Sequence, residues 1–277
     1  MKKIIFTLIL LAFVAMPGHA TGQTPEVLSF DGNSWSMFYC PLDMVKQTKK
    51  WHKSKDFKKN AWTTGCWRGY IGHWSIIDNK LILTEAVWEE AVTDSLKRTK
   101  FVEVKLPRVF KYYSKYATPQ GIFASWVNDT IRIGRGDCIR YVHMGFDRNL
   151  EEEAYLIIKK GVVKKVEYFH NRIIQGRRIE DFVKAINNDS ISWNGIPENV
   201  NRFFFSMKVN HDENGHIASF DLNFYKLTPE QEAIMKPRVL ELVGRHRNDI
   251  PVMHILGKYV SEIYTLPILR HKKDLAK

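Results

Sequence analysis

The chain of 277 residues lacks the short catalytic signatures that can be recognised in a single sequence. It contains no G-x-S-x-G nucleophile elbow, no H-E-x-x-H zinc motif, no Walker loop and no G-x-G-x-x-G dinucleotide fingerprint. No catalytic residue, cofactor or metal site is therefore expected, and a non-enzymatic protein is the favoured hypothesis. Catalytic groups can also be scattered along a chain without a motif, so an enzyme stays open as the alternative.

Cysteine is scarce, with Cys40, Cys66 and Cys138 as the only three. No two of them stand at C-x-x-C spacing, and no Cys/His pair has the spacing of a zinc site. One disulfide plus one free thiol fits an oxidising compartment, and all three pairings stay open.

Long apolar runs are missing after the first twenty residues. Those residues, MKKIIFTLILLAFVAMPGHA, begin with two lysines, continue with an apolar run and end in small residues. This pattern predicts a cleaved secretory signal peptide over residues 1–20. The apolar run is shorter than the ~20 residues of a spanning helix, and a retained anchor is the alternative. The mature protein is predicted to be periplasmic or secreted, without an integral membrane span.

Acidic residues are fewer than basic ones, 30 against 42, which gives a formal net charge of +12. Such an excess is compatible with a polyanionic or glycan partner, although solvated lysine-rich loops are the simpler explanation. The densest basic run, KQTKKWHKSKDFKK at 46–59, has neither helix nor strand periodicity. We therefore predict an exposed loop there.

An aromatic cluster surrounds Arg68 in the segment WRGYIGHW, residues 67–74. An arginine among aromatic rings can bind an anionic or sugar ligand by stacking and cation–π contact. Arg68, Tyr70 and Trp74 are therefore the predicted ligand-binding residues of the first half. In the structural alternative, Tyr70 and Trp74 belong to a core and Arg68 makes a hairpin hydrogen bond. The alternative function is a secreted hydrolase or binding protein for a polyanion or glycan, acting through this basic half.

Short strand patterns dominate the first half of the chain. Hairpin cues occur at Asp31-Gly32-Asn33, at Asp78-Asn79 and at Gly161, each between alternating apolar residues. We predict an antiparallel β-rich domain of unknown function over residues 21–172. A sandwich or a barrel would let strands this short bury their apolar faces together.

The second half mixes helical and strand periods, which predicts an α+β protein with a small second domain over residues 173–277. IEDFVKAINN, residues 179–188, has apolar side chains at helical spacing. Two strands then flank the Asn214-Gly215 turn.

A second helix and a last strand complete this half. Thr228, Pro229 and Gln231 form the start signal of the helix. GKYVSEIYTLPILR, residues 257–270, alternates as one strand, and Pro267 indicates an edge strand or a strand terminus.

The order helix, strand, strand, helix, strand over residues 179–270 resembles the C-terminal domain of TonB-family proteins. The segments that carry the likeness are DFVKAINNDSISWNGIP, RFFFSMKVNHDENGHIASFDL, EAIMKPRVLELV and GKYVSEIYTLPI. The chain departs from the family before the last strand, where RHRNDIPVMHIL replaces a stretch with tryptophan, proline and glycine. The first half, through WRGYIGHWSIIDNKLIL and RYVHMGF, resembles uncharacterised secreted proteins, a likeness that implies no chemistry.

The resemblance implies a periplasmic module that pairs its sheet edge with a short segment of a partner. In energy-transducing members the partner is an outer-membrane transporter, and a Pro-rich linker leads to an inner-membrane motor. This sequence lacks such a linker, so a full energy transducer is not expected. We predict a cell-envelope protein whose last strand binds another protein or an extended peptide. The predicted partner-binding residues are Val260, Ile263, Tyr264 and Leu266. The alternative is a strand that only completes its own sheet.

Overall fold

The computed structural model describes most of the chain. The described residues are 21–55, 57, 64–93, 97–176, 179–260 and 263–270. The predicted signal peptide, residues 1–20, lies outside them. Within the described residues, no helix combines the length and the apolar composition that crossing a membrane requires.

The chain divides into two compact units, with the division between Tyr168 and Phe169. The predicted boundary stood slightly later, after residue 172. The fold is a strand-rich mixture of helices and strands, so the predicted α+β class is confirmed.

The first unit is built around a single ten-stranded sheet. Its strands are β1 (Glu26–Phe30), β2 (Asn33–Met37), β3 (Ile71–Ile77), β4 (Lys80–Thr93), β5 (Thr99–Lys105), β6 (Ala117–Thr118), β7 (Gly121–Phe123), β8 (Thr130–Tyr141), β9 (Arg148–Lys159) and β10 (Val162–His170). Among the described residues, two short helices accompany them, α1 (Thr48–His52) and α2 (Val109–Tyr112).

The sheet of the first unit closes on itself. Its order is β10-β9-β8-β2-β1-β3-β4-β7-β6, with β5 beside β4. β10 also pairs with β4, where Val162 lies opposite Lys80. The main core cluster includes Leu28, Trp74, Leu83, Ile131 and Leu156 from five of these strands.

One strand pair departs from the predicted antiparallel arrangement. β1 runs parallel to β3, with Leu28 opposite Trp74. Parallel neighbours need a long connection, and the segment between Met37 and Ile71, which contains α1, provides it. Hairpin cues report only strands that are adjacent in sequence, so they did not reveal this pair.

The same segment corrects the prediction of an exposed loop over the basic run. Part of that run forms α1, and Trp51 within it is fully buried. The indole N–H of Trp51 donates to the carbonyl oxygen of Arg68 at 3.2 Å. Burial of this one large ring orders a stretch whose other side chains are mostly polar.

The three predicted hairpin turns of the first unit are confirmed. Their central residues, all with positive φ, are Asp31–Gly32, Asp78–Asn79 and Lys160–Gly161. Turns of this kind match the right-handed twist of the strands that they join. Gly161 has a second constraint, because a Cβ there would lie 2.6 Å from the carbonyl oxygen of Ala124.

The second unit contains two helices and two three-stranded sheets among its described residues. Its elements are β11 (Arg172–Gln175), α3 (Ile179–Asn188), β12 (Arg202–His211), β13 (Ile217–Tyr225), α4 (Pro229–Arg245), β14 (Val252–Ile255), β15 (Lys258–Val260) and β16 (Ile263–Leu269). The sheets have the orders β13-β12-β16 and β11-β14-β15.

The start of α4 follows the predicted capping signal. The backbone N–H of Thr228 donates to Gln231 Oε1 at 3.1 Å, and the N–H of Gln231 donates to Thr228 Oγ1 at 3.4 Å. Pro229 occupies the first turn, where its missing N–H has no partner to lose.

The two helices pack on one face of the β13-β12-β16 sheet. The sheet supplies Phe203, Phe205, Met207, Leu222, Tyr264, Leu266 and Ile268 to this core. The helices supply Phe182, Ile186, Met235, Val239, Leu242 and Val243. The other face of the sheet is not part of this core.

The last strand predicted over residues 257–270 is in fact two strands in different sheets. β15 pairs with β14, where Val260 lies opposite Met253. β16 pairs with β12, where Leu266 lies opposite Phe205. Residues 261–262, between the two strands, lie outside the described residues. A period of two shows which side chains share a face, but it does not identify the strand that pairs with the segment. The sequence pattern therefore could not distinguish pairing with β14 from pairing with β12.

Candidate functional site

The last strand, β16, is an edge strand. It pairs with β12 on one side, and no described strand pairs with its other side, which we call the open edge. Antiparallel pairing to β12 extends from Ile263 to Leu269 without a register shift. An edge of this kind presents backbone donors and acceptors that no strand of the described sheet uses.

The hydrogen-bond register determines which backbone groups of β16 face the open edge. Just beyond the strand, the N–H of Arg270 donates to the carbonyl oxygen of Asn201 at 2.9 Å. Backbone groups alternate in direction along an antiparallel strand. The residues whose N–H and C=O groups face β12 are therefore Tyr264, Leu266 and Ile268. Those whose groups face the open edge are Ile263, Thr265 and Leu269, with the C=O group of Pro267.

Pro267 stands at a position where an N–H would point to the open edge. The pairing of β16 with β12 therefore loses no hydrogen bond because proline lacks an N–H group. The edge position predicted from this proline is confirmed by the sheet order.

The structure separates the four predicted partner-binding residues. Val260 lies in β15, half-buried, and does not share a strand with the other three. Tyr264 and Leu266 are buried in the helix-covered core, so their side chains do not face a partner. Ile263 alone projects outward, with 65% of its surface exposed.

The face of this sheet on which the two helices do not pack, which we call the uncovered face, carries an apolar row that sequence reasoning missed. Phe204 lies opposite Tyr225 on one side and opposite Pro267 on the other. The Tyr225 hydroxyl donates to Ser206 Oγ at 3.2 Å, and Lys226 Nζ lies 5.3 Å from the centre of the Phe204 ring. The run of three phenylalanines at 203–205 could have indicated this row. Neighbouring side chains on a strand face opposite ways, so Phe204 must lie on the face opposite to Phe203 and Phe205.

Helix α3 lies next to the far end of β16. It contacts that strand, and a gap of only about 10 Å³ remains where Ile186 and Asn187 meet Ile268 and Leu269. The side chain of Leu269 nevertheless stays 45% exposed.

The predicted ligand-binding residues of the first unit lie together, but inside it. Arg68 and Tyr70 are fully buried, and Trp74 is 1% exposed. Arg68 Nε lies 2.6 Å from Glu26 Oε1, and an Arg68 Nη2–H donates to the carbonyl oxygen of Thr24 at 2.9 Å. The observed contacts of these side chains are thus with the protein interior.

Glu26 is the centre of this buried cluster. Its Oε2 accepts from the N–H of Gly72 at 2.7 Å and from the indole N–H of Trp74 at 2.9 Å. Burial raises the pKa of Glu26 to about 6, although Arg68 and the two hydrogen bonds act in the opposite direction. A side chain at Gly72 would collide with the carboxylate, since its Cβ would lie 2.0 Å from Oε2. The cluster joins β1, β3 and the turn before β3.

The three cysteines all lie within the described residues, and none of them forms a disulfide in the structure. Burial raises the pKa of the Cys40 and Cys66 thiols. Since the thiolate is the nucleophilic form, these two positions lack the electronic activation of a catalytic cysteine.

Comparison with known proteins gives no relative from which a role could be transferred. No family model, no curated protein and no solved structure matches the chain.

Proposed function

We propose that the second unit is a peptide-binding module of the cell envelope, which adds an extended segment of a partner protein to the open edge of β16. The observation that carries this proposal is the outward direction of the backbone groups of Ile263 and Thr265, beside the exposed Ile263 side chain. Such an edge is a template for strand addition. The proposal includes export by the predicted signal peptide and a module of the TonB C-terminal type. It does not include catalysis.

Backbone pairing would provide affinity, and the uncovered face would provide selectivity. A residue of the added strand opposite Pro267 would extend the row that Tyr225 and Phe204 begin. Aromatic and β-branched neighbours across strands contribute roughly 0.2–1 kcal/mol each. We therefore expect ligands with an aromatic or β-branched residue at every second position.

A peptide selection on the full-length protein tests this proposal. Short random peptides displayed on phage are selected against the immobilised chain, and the affinities of the selected peptides are measured by fluorescence anisotropy. Thr265→Pro removes an outward N–H and should weaken binding at least about tenfold, which corresponds to about 1.4 kcal/mol. Thr265→Ala keeps the N–H and is the matched control, with affinity close to that of the wild type.

Equal binding to wild type and a folded Thr265→Pro variant would place the peptide site elsewhere. Mapping of the bound peptide by amide protection provides a second readout, since Ile263 and Thr265 should gain protection and Leu266 should not change.

A further inference from the structure

Strands β4 and β5 extend beyond the rest of the described sheet of the first unit. β3 accompanies β4 only as far as Val87, which lies opposite Ile71. From Val87 to Thr93, β4 pairs with β5, the strand Thr99–Lys105. We call residues 88–93 together with β5 the β4–β5 arm. Because a strand rises ~3.4 Å per residue, the arm reaches ~20 Å beyond Val87.

The arm exposes apolar side chains on both of its faces. The exposed fractions are 68% for Phe101, 41% for Val92, and 39% each for Val102 and Val104. Phe101 lies on the face opposite to the two valines of β5, because neighbouring side chains on a strand alternate. Two strands by themselves are marginally stable in water. Exposed apolar surface on such an arm indicates a place where another strand is added.

The outer edge of β5 presents the backbone groups of Phe101 and Glu103. Just beyond β5, the N–H of Leu106 donates to the carbonyl oxygen of Ala86 at 2.7 Å. Since backbone groups alternate in direction, Val102 directs its N–H and C=O towards β4, whereas Phe101 and Glu103 direct theirs away from it. Both outward-facing residues are in solvent, with 54% of the Glu103 side chain exposed.

This edge is complementary to a second copy of itself. Two antiparallel copies related by a two-fold axis across the sheet keep each residue on its own face, so the axis must pass through a residue. Val102 is the midpoint of the seven-residue strand β5. An axis there pairs the full strand and places Phe101 opposite Glu103 of the second copy. An axis at Glu103 would oppose two carboxylates, which is unfavourable, and would shorten the overlap.

We propose that the chain forms a symmetric dimer in which the β5 edges of two copies pair antiparallel about Val102. The two arms then form one four-stranded sheet. Phe101 and Glu103 of one copy exchange backbone hydrogen bonds with Glu103 and Phe101 of the other, and the two Val102 side chains meet at the axis. This inference is independent of the peptide-binding proposal, which concerns β16 in the second unit.

The mass of the full-length chain in solution tests the proposal. An interface made of one strand pair is at the small end of protein interfaces. We therefore expect a dissociation constant between about 1 µM and about 1 mM. Sedimentation equilibrium across this concentration range measures the dimer fraction directly.

Variants at the axis test the register. Val102→Lys places two ammonium groups opposite each other, and Val102→Glu places two carboxylates there. Each should weaken dimerisation at least about tenfold, because like charges directly opposite are unfavourable. An equal mixture of the two variants should dimerise more tightly than either variant alone, since a lysine then faces a glutamate. Only a residue on the axis faces its own copy, so this recovery is specific to the proposed pairing.

A matched control adds the same charge elsewhere on the first unit. Tyr168 lies on β10 and is 57% exposed. Tyr168→Lys should leave the dissociation constant within about twofold. Circular dichroism checks that all variants are folded.

Four results would overturn the inference. The first is a monomer at about 1 mM, the weakest affinity expected. The second is a dimer that Val102→Lys does not weaken, which would assign the interface to another surface. The third is equal weakening by Tyr168→Lys, which would assign the effect to net charge. The fourth is the absence of recovery in the mixture, which would exclude an axis at Val102.

Discussion

The Glu26 carboxylate and the Arg68 guanidinium form an ion pair inside the first unit, with 2.6 Å between Oε1 and Nε and no exposure of either side chain. The same carboxylate accepts hydrogen bonds from Gly72 and Trp74 on β3. A buried charge that loses its partner is strongly destabilising. The integrity of the β1–β3 junction therefore depends on both residues.

Replacement of Arg68 by methionine should lower the free energy of unfolding by about 3–5 kcal/mol, because Glu26 would stay buried without a cation. Urea unfolding followed by circular dichroism measures this loss. The double variant Glu26→Gln/Arg68→Met should recover part of it, since no charge is then buried.

An exposed ion pair provides the control for this prediction. Lys105 Nζ lies 2.6 Å from Glu85 Oε1, but the lysine is mostly in solvent. Lys105→Gln should therefore change stability far less than Arg68→Met. Equal losses in the two variants would contradict the assigned importance of the buried pair.

The raised pKa of Glu26 predicts a specific pH dependence of stability. The folded carboxyl, with a pKa of about 6, binds its proton more tightly than the unfolded one at 4.5. Stability from this group is therefore complete below pH 4.5 and decreases as pH rises through about 6, by on the order of 2 kcal/mol. The measurement is urea unfolding of wild type and Glu26→Gln across this range. A difference between the two proteins that does not change with pH would refute the assignment.

Amide hydrogen exchange should alternate along β16. The N–H groups of Tyr264 and Leu266 donate to β12 and should exchange slowly, whereas the N–H of Thr265 faces the open edge and should exchange faster, by at least about tenfold. NMR-detected exchange on the full-length protein resolves these residues. Uniform protection from Tyr264 to Leu266 would mean that the open edge is already occupied.

Two glycines in hairpin turns should differ in their tolerance of alanine. Both Gly32 and Gly161 have positive φ, but an added Cβ at Gly32 meets nothing within 4 Å, while at Gly161 it would lie 2.6 Å from Ala124 O. Gly32→Ala should cost about 1 kcal/mol of unfolding free energy from backbone strain alone, and Gly161→Ala about 2–4 kcal/mol from strain plus collision. Urea midpoints compare the two variants directly, and a smaller loss at Gly161 would show that the Ala124 contact relaxes.

Several elements were predictable because their signals are local. The turn residues Asp31-Gly32 and Lys160-Gly161 determine hairpins through the φ angles that they tolerate. Thr228 and Gln231 determine the start of α4 through hydrogen bonds within four residues. Pro267 indicated an edge strand because proline has no N–H for a central ladder.

The candidate sites were less predictable because they depend on contacts between distant segments. Arg68 among aromatic residues has the composition of a ligand site, yet its contact with Glu26 makes it an interior residue. Trp51 lies in a basic stretch that looked like an exposed loop, yet its packing against Tyr112 makes it an interior residue. The apolar row at Phe204 forms only because strand pairing places Tyr225 on one side of this residue and Pro267 on the other.

The sequence by itself determined the α+β class, the hairpin turns, the caps and the alternation of buried and exposed residues, since each follows from backbone sterics and hydrogen bonds over a few residues. Tertiary structure alone decided the parallel pairing of β1 with β3, the assignment of β15 and β16 to different sheets, and the burial of the Glu26–Arg68 ion pair. These features arise from the choice of partner among many segments with similar patterns. That choice depends on which arrangement buries the most apolar surface in the whole chain, and no local pattern records it.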